Sequence, residues 1–123
     1  EISPDGKIYI ADTWNYRVQV FEPDPTGLQF RSARLWEVDA WSSDSLDNKP
    51  FLALDNDGNV YITDPDRGRV IGFDSEGTFK VLWGGFDNSY PMGVISGIAT
   101  TADGKVWVSD STSNTLLLFQ PPE

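Results

Sequence analysis

Short apolar runs alternate with polar turn residues along the whole chain. Three of these runs have the order aliphatic, aromatic, aliphatic: residues 8–10, 60–62 and 106–108. Each run follows an Asp-Gly pair and one polar residue, and each precedes a small residue and an aspartate. Asp-Gly between extended segments is typical of a hairpin turn, because glycine adopts the positive φ that such turns require. No stretch has a helical period, so the pattern predicts short β-strands.

The same pattern occurs three times at nearly constant spacing. The Asp-Gly pairs start at Asp5, Asp57 and Asp103, so successive copies are offset by 52 and 46 residues. Two later positions also recur in register, one occupied by Arg17, Arg69 and Thr115 and the other by Phe21, Phe73 and Phe119. A repeat at this spacing indicates a modular fold in which each unit packs on its neighbours.

Each copy contains the elements of a four-stranded antiparallel unit. The apolar runs 51–54 and 97–100 suit an inner strand that is buried on both faces. Further strands are predicted at 7–11, 18–21, 30–38 and 78–83. Four short strands in a period of about 45 residues are typical of a β-propeller blade. The sequence therefore predicts an all-β fold, a partial β-propeller of about three four-stranded antiparallel blades.

The predicted blades form one propeller segment, 1–123, and occupy about 1–38, 51–84 and 97–120. The first blade retains only residues 2–4 of an inner strand, and the third lacks an outer strand. The chain begins with Glu1 and not with Met, so we expect a piece of a longer protein. Closed propellers have about four to eight blades. The expected partners of the end blades are therefore the remaining blades of the parent chain or a second copy.

The first copy resembles a known repeat. Residues 5–21, DGKIYIADTWNYRVQVF, are similar to the NHL repeat, and the similarity continues more weakly over 51–85 and 97–119. The resemblance implies a six-bladed propeller used as a binding platform, with some enzymes among its relatives. Residues 45–65, SLDNKPFLALDNDGNVYITDP, are also similar to NHL segments at the C-terminal end of large bacterial multispanning membrane proteins. This second resemblance implies a position on the extracellular or periplasmic side of a bacterial membrane.

Composition narrows the range of functions. Nineteen acidic residues against nine basic ones give a formal net charge of −10, which repels phosphate backbones and anionic lipid surfaces. We therefore expect no nucleic-acid partner. No apolar run approaches the length of a membrane span, so we expect no direct membrane insertion. The chain has no Cys and no His, which removes thiolate ligands and the side chain most often used in acid–base catalysis.

An aspartate and a basic residue recur on either side of one turn in each copy. Asp12 and Arg17 flank this turn in the first copy, as Asp64 and Arg69 do in the second, while Asp110 has Thr115 as its counterpart. These positions face each other across a hairpin, so a carboxylate and a guanidinium can pair there. A catalytic acid is needed once, whereas a structural contact is needed in every blade. We therefore interpret these residues as structural.

The longer and more varied loops indicate where a partner would bind. Because antiparallel strands reverse at each turn, loops 13–16, 65–68 and 111–114 share one end of the fold with connections 39–50 and 84–96. The candidate binding residues in these loops are Trp14, Tyr16, Trp41, Asp66, Arg67, Phe86, Asp87 and Tyr90. Aromatic residues beside carboxylates suit a protein or carbohydrate partner. The alternative is that Trp41, Phe86 and Tyr90 fold back over the blades.

One short stretch resembles the start of a calcium loop. Asp55, Asp57 and Asn59 have its spacing, but the sixth position, which requires glycine, is Val60. We therefore expect no cofactor and no metal ligand, with calcium as the alternative left open.

Two hypotheses of function follow. The first is a non-enzymatic binding or scaffolding module that recognises a protein or carbohydrate through its long loops. The alternative is a part of a metal-dependent propeller hydrolase or lyase, similar to gluconolactonase-like or amidating-lyase-like relatives. Absence of His weakens the second hypothesis without removing a site built from oxygen ligands. RNA binding, which occurs in some NHL proteins, conflicts with the negative charge.

Overall fold

The computed structural model describes residues 1–41, 49–85 and 92–123, which form ten antiparallel strands. The strands are β1 (Ile8–Asp12), β2 (Arg17–Pro23), β3 (Phe30–Glu37), β4 (Leu52–Leu54), β5 (Val60–Asp64), β6 (Arg69–Phe73), β7 (Phe79–Gly84), β8 (Ile95–Thr100), β9 (Val106–Asp110) and β10 (Thr115–Phe119). A 3₁₀ turn, Thr13–Asn15, joins β1 to β2. No α-helix occurs within the described residues, which accordingly include no helix able to span a membrane.

The strands form three sheets that follow one another along the chain. Blade 1 is β1-β2-β3, blade 2 is β4-β5-β6-β7, and blade 3 is β8-β9-β10. An isolated bridge between Ile2 and Ile8 occupies the place of an inner strand in blade 1. Neighbouring strands are consecutive in sequence, as in a propeller blade. The predicted all-β fold with propeller-like antiparallel sheets is confirmed.

The inner hairpins close at the Asp-Gly pairs. Gly6, Gly58 and Gly104 adopt φ values of 82°, 81° and 79°, a region in which side chains are strained. In blade 2 the Gly58 amide donates to the carbonyl of Asp55 at 3.1 Å, which closes the turn before β5. Because the same turn recurs in every blade, β1, β5 and β9 each begin two residues after the turn glycine.

The sheets stack face to face. We call the face toward the following blade the back face and the face toward the preceding blade the front face. The back face of blade 1 (Tyr9, Val18, Val20 and Trp36) packs against the front face of blade 2 (Val60, Ile62, Ile71 and Phe73). The back face of blade 2 (Tyr61, Val70, Val81 and Trp83) packs against the front face of blade 3 (Val106, Val108, Leu117 and Phe119). Blade 2 is therefore covered on both sides, and every residue of β5 is buried.

The turns after the second strands and the described ends of the connections between blades lie at one end of the stack. The amide of Val38 donates to the carbonyl of Tyr16, and that of Gly85 donates to Gly68, so each turn is bonded to the chain leaving its own blade. We call this the long-loop end. The opposite, tight-turn end carries the Asp-Gly turns and the hairpins after β2 and β6. This arrangement separates the varied loops from the repeated turns.

Candidate functional site at the long-loop end

Two Asp–Arg pairs stand at the long-loop end, both at positions expected from the repeat. Arg17 Nε donates to Asp12 Oδ2 at 2.7 Å, and Arg69 Nε donates to Asp64 Oδ2 at 2.8 Å. In each blade the two residues are directly opposite in the strand register. These charge-assisted contacts close the hairpin between the second and third strands.

The aspartates also hold the connection that arrives from the preceding blade. The backbone amide of Trp41 donates to Asp64 Oδ1 at 3.3 Å, and that of Gly93 donates to Asp110 Oδ2 at 2.9 Å. The side chain of Asp64 is fully buried. A buried carboxylate requires such donors, because an unpaired charge in the interior is costly. Each of these aspartates therefore links a connection to the blade that follows it.

Asp110 has backbone partners where the other aspartates have an arginine. Its Oδ1 accepts the amides of Thr112 at 2.9 Å and Ser113 at 3.3 Å. The amide of Gly93, aided by the Ser113 and Thr112 donors, lowers the pKa of Asp110 below its ordinary value of 3.8. Thr115 instead lies 2.7 Å from the hydroxyl of Ser113. Backbone amides therefore take the place that an arginine has in the other two blades.

Asp12 has only local side-chain partners. Asn15 Nδ2 contacts both carboxylate oxygens at 3.0 Å, and Arg17 contacts Oδ2. Asn15 and then Arg17 lower the pKa of Asp12. No connection residue within the described part of the chain donates to it. Asp12 therefore forms the Asp–Arg pair that recurs in blade 2, but within the described residues it makes no contact with another blade.

Trp41 lies between blades 1 and 2 and not on the surface. Its side chain is 6% exposed, and its Nε1 donates to the carbonyl of Thr63 at 2.8 Å. The backbone of Trp41 has a positive φ of 64°, which directs the connection across the end of the sheets. Trp41 therefore folds back over the blades, as the alternative interpretation of the sequence expected. Its buried ring cannot contact a partner.

Arg67 is a surface residue that binds Asp39, in the chain that leaves blade 1. Its Nη1 donates at 3.1 Å both to the carbonyl and to Oδ1 of Asp39. Asp39, Asp64 and Asp66 all raise the pKa of Arg67, with Asp39 contributing most. Arg69 also donates to the Asp39 carbonyl. Arg67 is exposed and Asp66 is partly buried, so this group of acidic residues around Arg67 and Arg69 reaches the solvent.

Trp14 and Tyr16 present aromatic rings to solvent on the turn of blade 1. Their side chains are 65% and 41% exposed. Tyr16 adopts a φ of 51°, and the equivalent residues in blades 2 and 3 are Gly68 at 56° and Asn114 at 55°. Glycine and asparagine tolerate this left-handed conformation, whereas an aromatic residue is strained there. The turn thus exposes two aromatic rings. One of them, Tyr16, occupies a position where the backbone conformation favours glycine or asparagine.

The other candidates are placed as follows. Phe86, Asp87 and Tyr90 lie outside the described residues. The possible calcium stretch lies at the tight-turn end, where both oxygens of Asp55 accept hydrogen bonds from Asp57, Asn59 and Tyr61 at 2.7–3.0 Å. No cluster of three or more acidic side chains able to hold a metal occurs among the described residues. The expectation of no cofactor, with calcium at this stretch as its alternative, stays untested.

The sequence did not indicate which backbone groups the charged side chains would bind. The carbonyl of Asp39 and the amides of Trp41 and Gly93 are central to the contacts between blades. A backbone group has no sequence signal of its own. The close fit of Gly93, where a Cβ would lie 2.5 Å from the Thr112 hydroxyl, is likewise visible only in the folded chain.

Solved structures share the propeller fold over the whole chain. The chain is similar to virginiamycin B lyase from Staphylococcus aureus (14% identity, TM-score 0.53, 100% of this chain and 40% of that one). It is also similar to a streptogramin B lyase (17%, 0.59, 99% and 39%) and to a protein from Lactobacillus plantarum (17%, 0.61, 98% and 39%). The chain spans about two fifths of each. These likenesses define the class as a β-propeller.

Within that class, one family description matches part of the chain. Residues 2–21 match the NHL repeat. This segment contains β1, the 3₁₀ turn and most of β2, and therefore also Asp12, Trp14 and Tyr16. No curated protein sequence matches the chain. The NHL resemblance of the first copy is thus confirmed, and the membrane-protein context stays a prediction.

Proposed function

We propose that this chain is a non-enzymatic binding module whose partner contacts the long-loop end of blade 1. The observation that carries the proposal is the exposed pair Trp14 and Tyr16, with Tyr16 at a φ of 51°. Strained residues concentrate at functional sites. Exposed aromatic side chains contribute large contact areas to binding sites.

Charge supports a partner that is neutral or basic. Asp12 begins the turn that carries the aromatic pair, and the whole chain has a net charge of −10. The faces of Trp and Tyr attract cations, and their apolar rings also pack on the C–H faces of sugars. A basic protein segment or a neutral carbohydrate therefore suits this surface better than a phosphorylated ligand.

Binding to defined probes tests the proposal. The chain is screened against immobilised neutral oligosaccharides and basic peptides, together with Trp14→Ala and Leu28→Ala. Leu28 is 85% exposed but lies in the hairpin after β2, at the tight-turn end. We expect Trp14→Ala to weaken any hit at least tenfold and Leu28→Ala to leave it unchanged. Equal affinities of both variants, or no hit in either class, would reject the proposal.

Enzymatic activity is the second candidate. Two of the similar solved structures are lyases, which supports this candidate, although identities of 14–17% relate only the folds. The sequence given contains no His, so oxygen ligands of this chain would have to bind the metal. Thermal melting with and without 1 mM Ca²⁺ or Mg²⁺ separates the candidates. A stabilising shift favours a metal site, since a ligand that binds the folded state raises the melting temperature.

The location is a proposal from the resemblance. We place the module on the extracellular or periplasmic side of a bacterial membrane. Protease treatment of intact cells and of spheroplasts, with immunodetection of the module, tests this placement. Digestion only after lysis of the inner membrane would contradict it.

A further inference from the structure

A groove lies between blades 1 and 2 at the tight-turn end. It contains two adjoining cavities of about 320 and 270 Å³, and Lys7, Tyr9 and Ser75 line both of them. Blade 1 provides one wall, and the two hairpin turns of blade 2 provide the other. Both walls belong to blades that the structure describes, so the groove does not depend on what covers the outer faces of the stack.

The hydroxyl of Tyr9 is a polar group without a partner in this groove. Tyr9 is 7% exposed, and its hydroxyl makes no hydrogen bond to any described residue. Within the described part of the chain, only Trp36 Nε1 is both sealed from solvent and unbonded, so the Tyr9 hydroxyl opens into the cavities that it lines. An unsatisfied hydroxyl in a buried residue is costly. The Tyr9 hydroxyl is therefore available to a ligand.

The equivalent tyrosine of blade 2 has a partner inside the protein. Tyr61 occupies the same position of the repeat, and its hydroxyl donates to Asp55 Oδ2 at 3.0 Å. The residue of blade 1 that corresponds to Asp55 is Ser3. The shorter side chain of Ser3 bonds Asp5 and the backbone of Lys7 instead. Blade 1 thus has the tyrosine without its acceptor, and the larger cavity lies at this place.

Hydrogen-bonding groups of both kinds surround the Tyr9 hydroxyl. The ammonium of Lys7 binds Asp5 at 2.7 Å and has further N–H donors. The carboxylate of Asp57 and the hydroxyl of Ser75 line the larger cavity and make no hydrogen bond to another described residue. These groups can donate to a ligand and accept from it at the same time.

The charges of the groove favour a neutral ligand. Carboxylates outnumber cations along its walls, which carry Asp5, Glu22, Asp55, Asp57 and Glu76 against Lys7 and Arg34. This excess disfavours a phosphate or a carboxylate, and the ammonium of Lys7 disfavours a cation. The ligand is therefore recognised by hydrogen bonds and not by its charge.

We propose that this groove binds one sugar residue through the hydroxyl of Tyr9. Sugar hydroxyls both donate and accept, so they can donate to Asp57 and accept from Lys7 while they bind Tyr9. Cavities that hold small molecules start at about 300 Å³, and the larger cavity has about 320 Å³. The site lies at the opposite end of the fold from Trp14 and Tyr16, so it does not rest on the proposed function.

NMR titration with neutral sugars tests the proposal. The probes are free hexoses, free N-acetylhexosamines and short oligosaccharides, with inorganic phosphate as the anionic control. At least one sugar should shift the amide signals of Lys7, Tyr9 and Ser75 saturably, and phosphate should not. A response to the free monosaccharides would identify the ligand as a free sugar, and a response to oligosaccharides alone would identify it as the end of a glycan.

Two tyrosine variants provide a matched comparison. Tyr9→Phe removes the unpartnered hydroxyl, so it should weaken sugar binding about fivefold, as loss of one hydrogen bond does, and leave the melting temperature unchanged. Tyr61→Phe removes a hydroxyl that is bonded to Asp55, so it should lower the melting temperature and leave the sugar affinity unchanged. Trp14→Ala, at the long-loop end, should change neither the shifts in the groove nor the sugar affinity.

Three results would overturn the proposal. The first is the absence of a saturable shift with every sugar, and the second is an equal affinity of wild type and Tyr9→Phe. The third is a loss of stability in Tyr9→Phe as large as that in Tyr61→Phe, because the Tyr9 hydroxyl would then have a partner in the folded chain. Sugar-induced shifts confined to Trp14 and Tyr16 would also reject this site, while they would support the proposed function.

Discussion

Asp12, Asp64 and Asp110 occupy one position of the repeat but have three sets of partners. Asp64 has an arginine and a connection amide, Asp110 has the amides of Gly93, Thr112 and Ser113, and Asp12 has an arginine and Asn15. Burial follows the same division, because Asp64 is fully buried while the side chain of Asp12 is 21% exposed. One residue type therefore contributes differently to stability in each blade.

Neutralising the buried aspartate should cost more than neutralising the exposed one. Asp64→Asn removes the charge that pairs with Arg69 in the interior, and we expect a loss of about 3 kcal/mol in the free energy of unfolding. Asp12→Asn should lose about 1 kcal/mol or less, as surface pairs do. Urea denaturation of both variants measures the difference. Equal losses would show that burial does not set the strength of these pairs.

The contribution of Asp110 should depend on pH. Its pKa is lower in the folded state than the ordinary value of 3.8, so its carboxylate stabilises the fold above that value. This stability is lost as the pH falls through the lowered pKa. The difference in unfolding free energy between wild type and Asp110→Asn should therefore be constant from pH 5 to 7 and shrink below pH 4. A difference that grows on acidification would contradict the assigned donors.

In the strained turn of blade 1, glycine should be more stabilising than alanine at position 16. Tyr16→Gly and Tyr16→Ala both remove the ring, but only glycine relieves the left-handed conformation. We expect Tyr16→Gly to be more stable than Tyr16→Ala by about 1 kcal/mol. Thermal melting of the two variants compares them. An alanine variant of equal stability would mean that the turn relaxes and that Tyr16 is not strained.

At the scale of elements, the repeat predicted the strands well because local chemistry determines them. Asp-Gly turns and alternating apolar residues located β1, β5 and β9 to within two residues. The 3₁₀ turn Thr13–Asn15 was expected only as a loop. The Tyr16 amide closes this turn on the Thr13 carbonyl, and the Tyr16 carbonyl accepts the amide of Val38, which is distant in sequence. Contacts of that kind leave no local pattern.

The turn before β6 shows how tertiary contact restricts a single position. A Cβ on Gly68 would lie 2.1 Å from the carbonyl oxygen of Met92, whereas one on Gly104 would meet nothing within 4 Å. Both glycines have positive φ, 56° and 79°. Gly68 therefore carries a steric requirement in addition to the conformational one.

Alanine at these two glycines should separate the two requirements. Gly104→Ala should cost about 1 kcal/mol, since only the backbone conformation is unfavourable. Gly68→Ala should cost at least twice as much, because the backbone of Met92 must also move. Denaturation curves of both variants decide the matter. Similar costs would show that the connection before β8 is not held against the turn of blade 2.

At the scale of the whole molecule, the sequence predicted the fold better than the site. Packing repeats from blade to blade, so three copies of one pattern were enough to identify the sheets and their order. The candidate site depends on which loop residues fold inward. Trp14 and Trp41 are both aromatic loop residues, yet one is 65% and the other 6% exposed. A partner such as the carbonyl of Thr63 for Trp41 is known only from the folded chain.

The two kinds of loop residue differ in their contacts. Asp64 and Asp110 hold successive blades together, and the unrepeated aromatic pair Trp14 and Tyr16 is the contact that we propose for a partner. The connection between blades therefore rests on one claim, that an aspartate in one blade binds the backbone of the chain arriving from the blade before.

Amide hydrogen exchange at Trp41 and Gly93, followed by NMR, tests this claim most directly. Both amides should be protected in the wild type, because each donates to a carboxylate. Asp64→Ala should speed exchange at Trp41 and leave Gly93 protected, and Asp110→Ala should do the reverse, so each variant is the control for the other. Exchange at Trp41 and Gly93 that is already fast in the wild type, or that does not respond to loss of its own aspartate, would contradict the account.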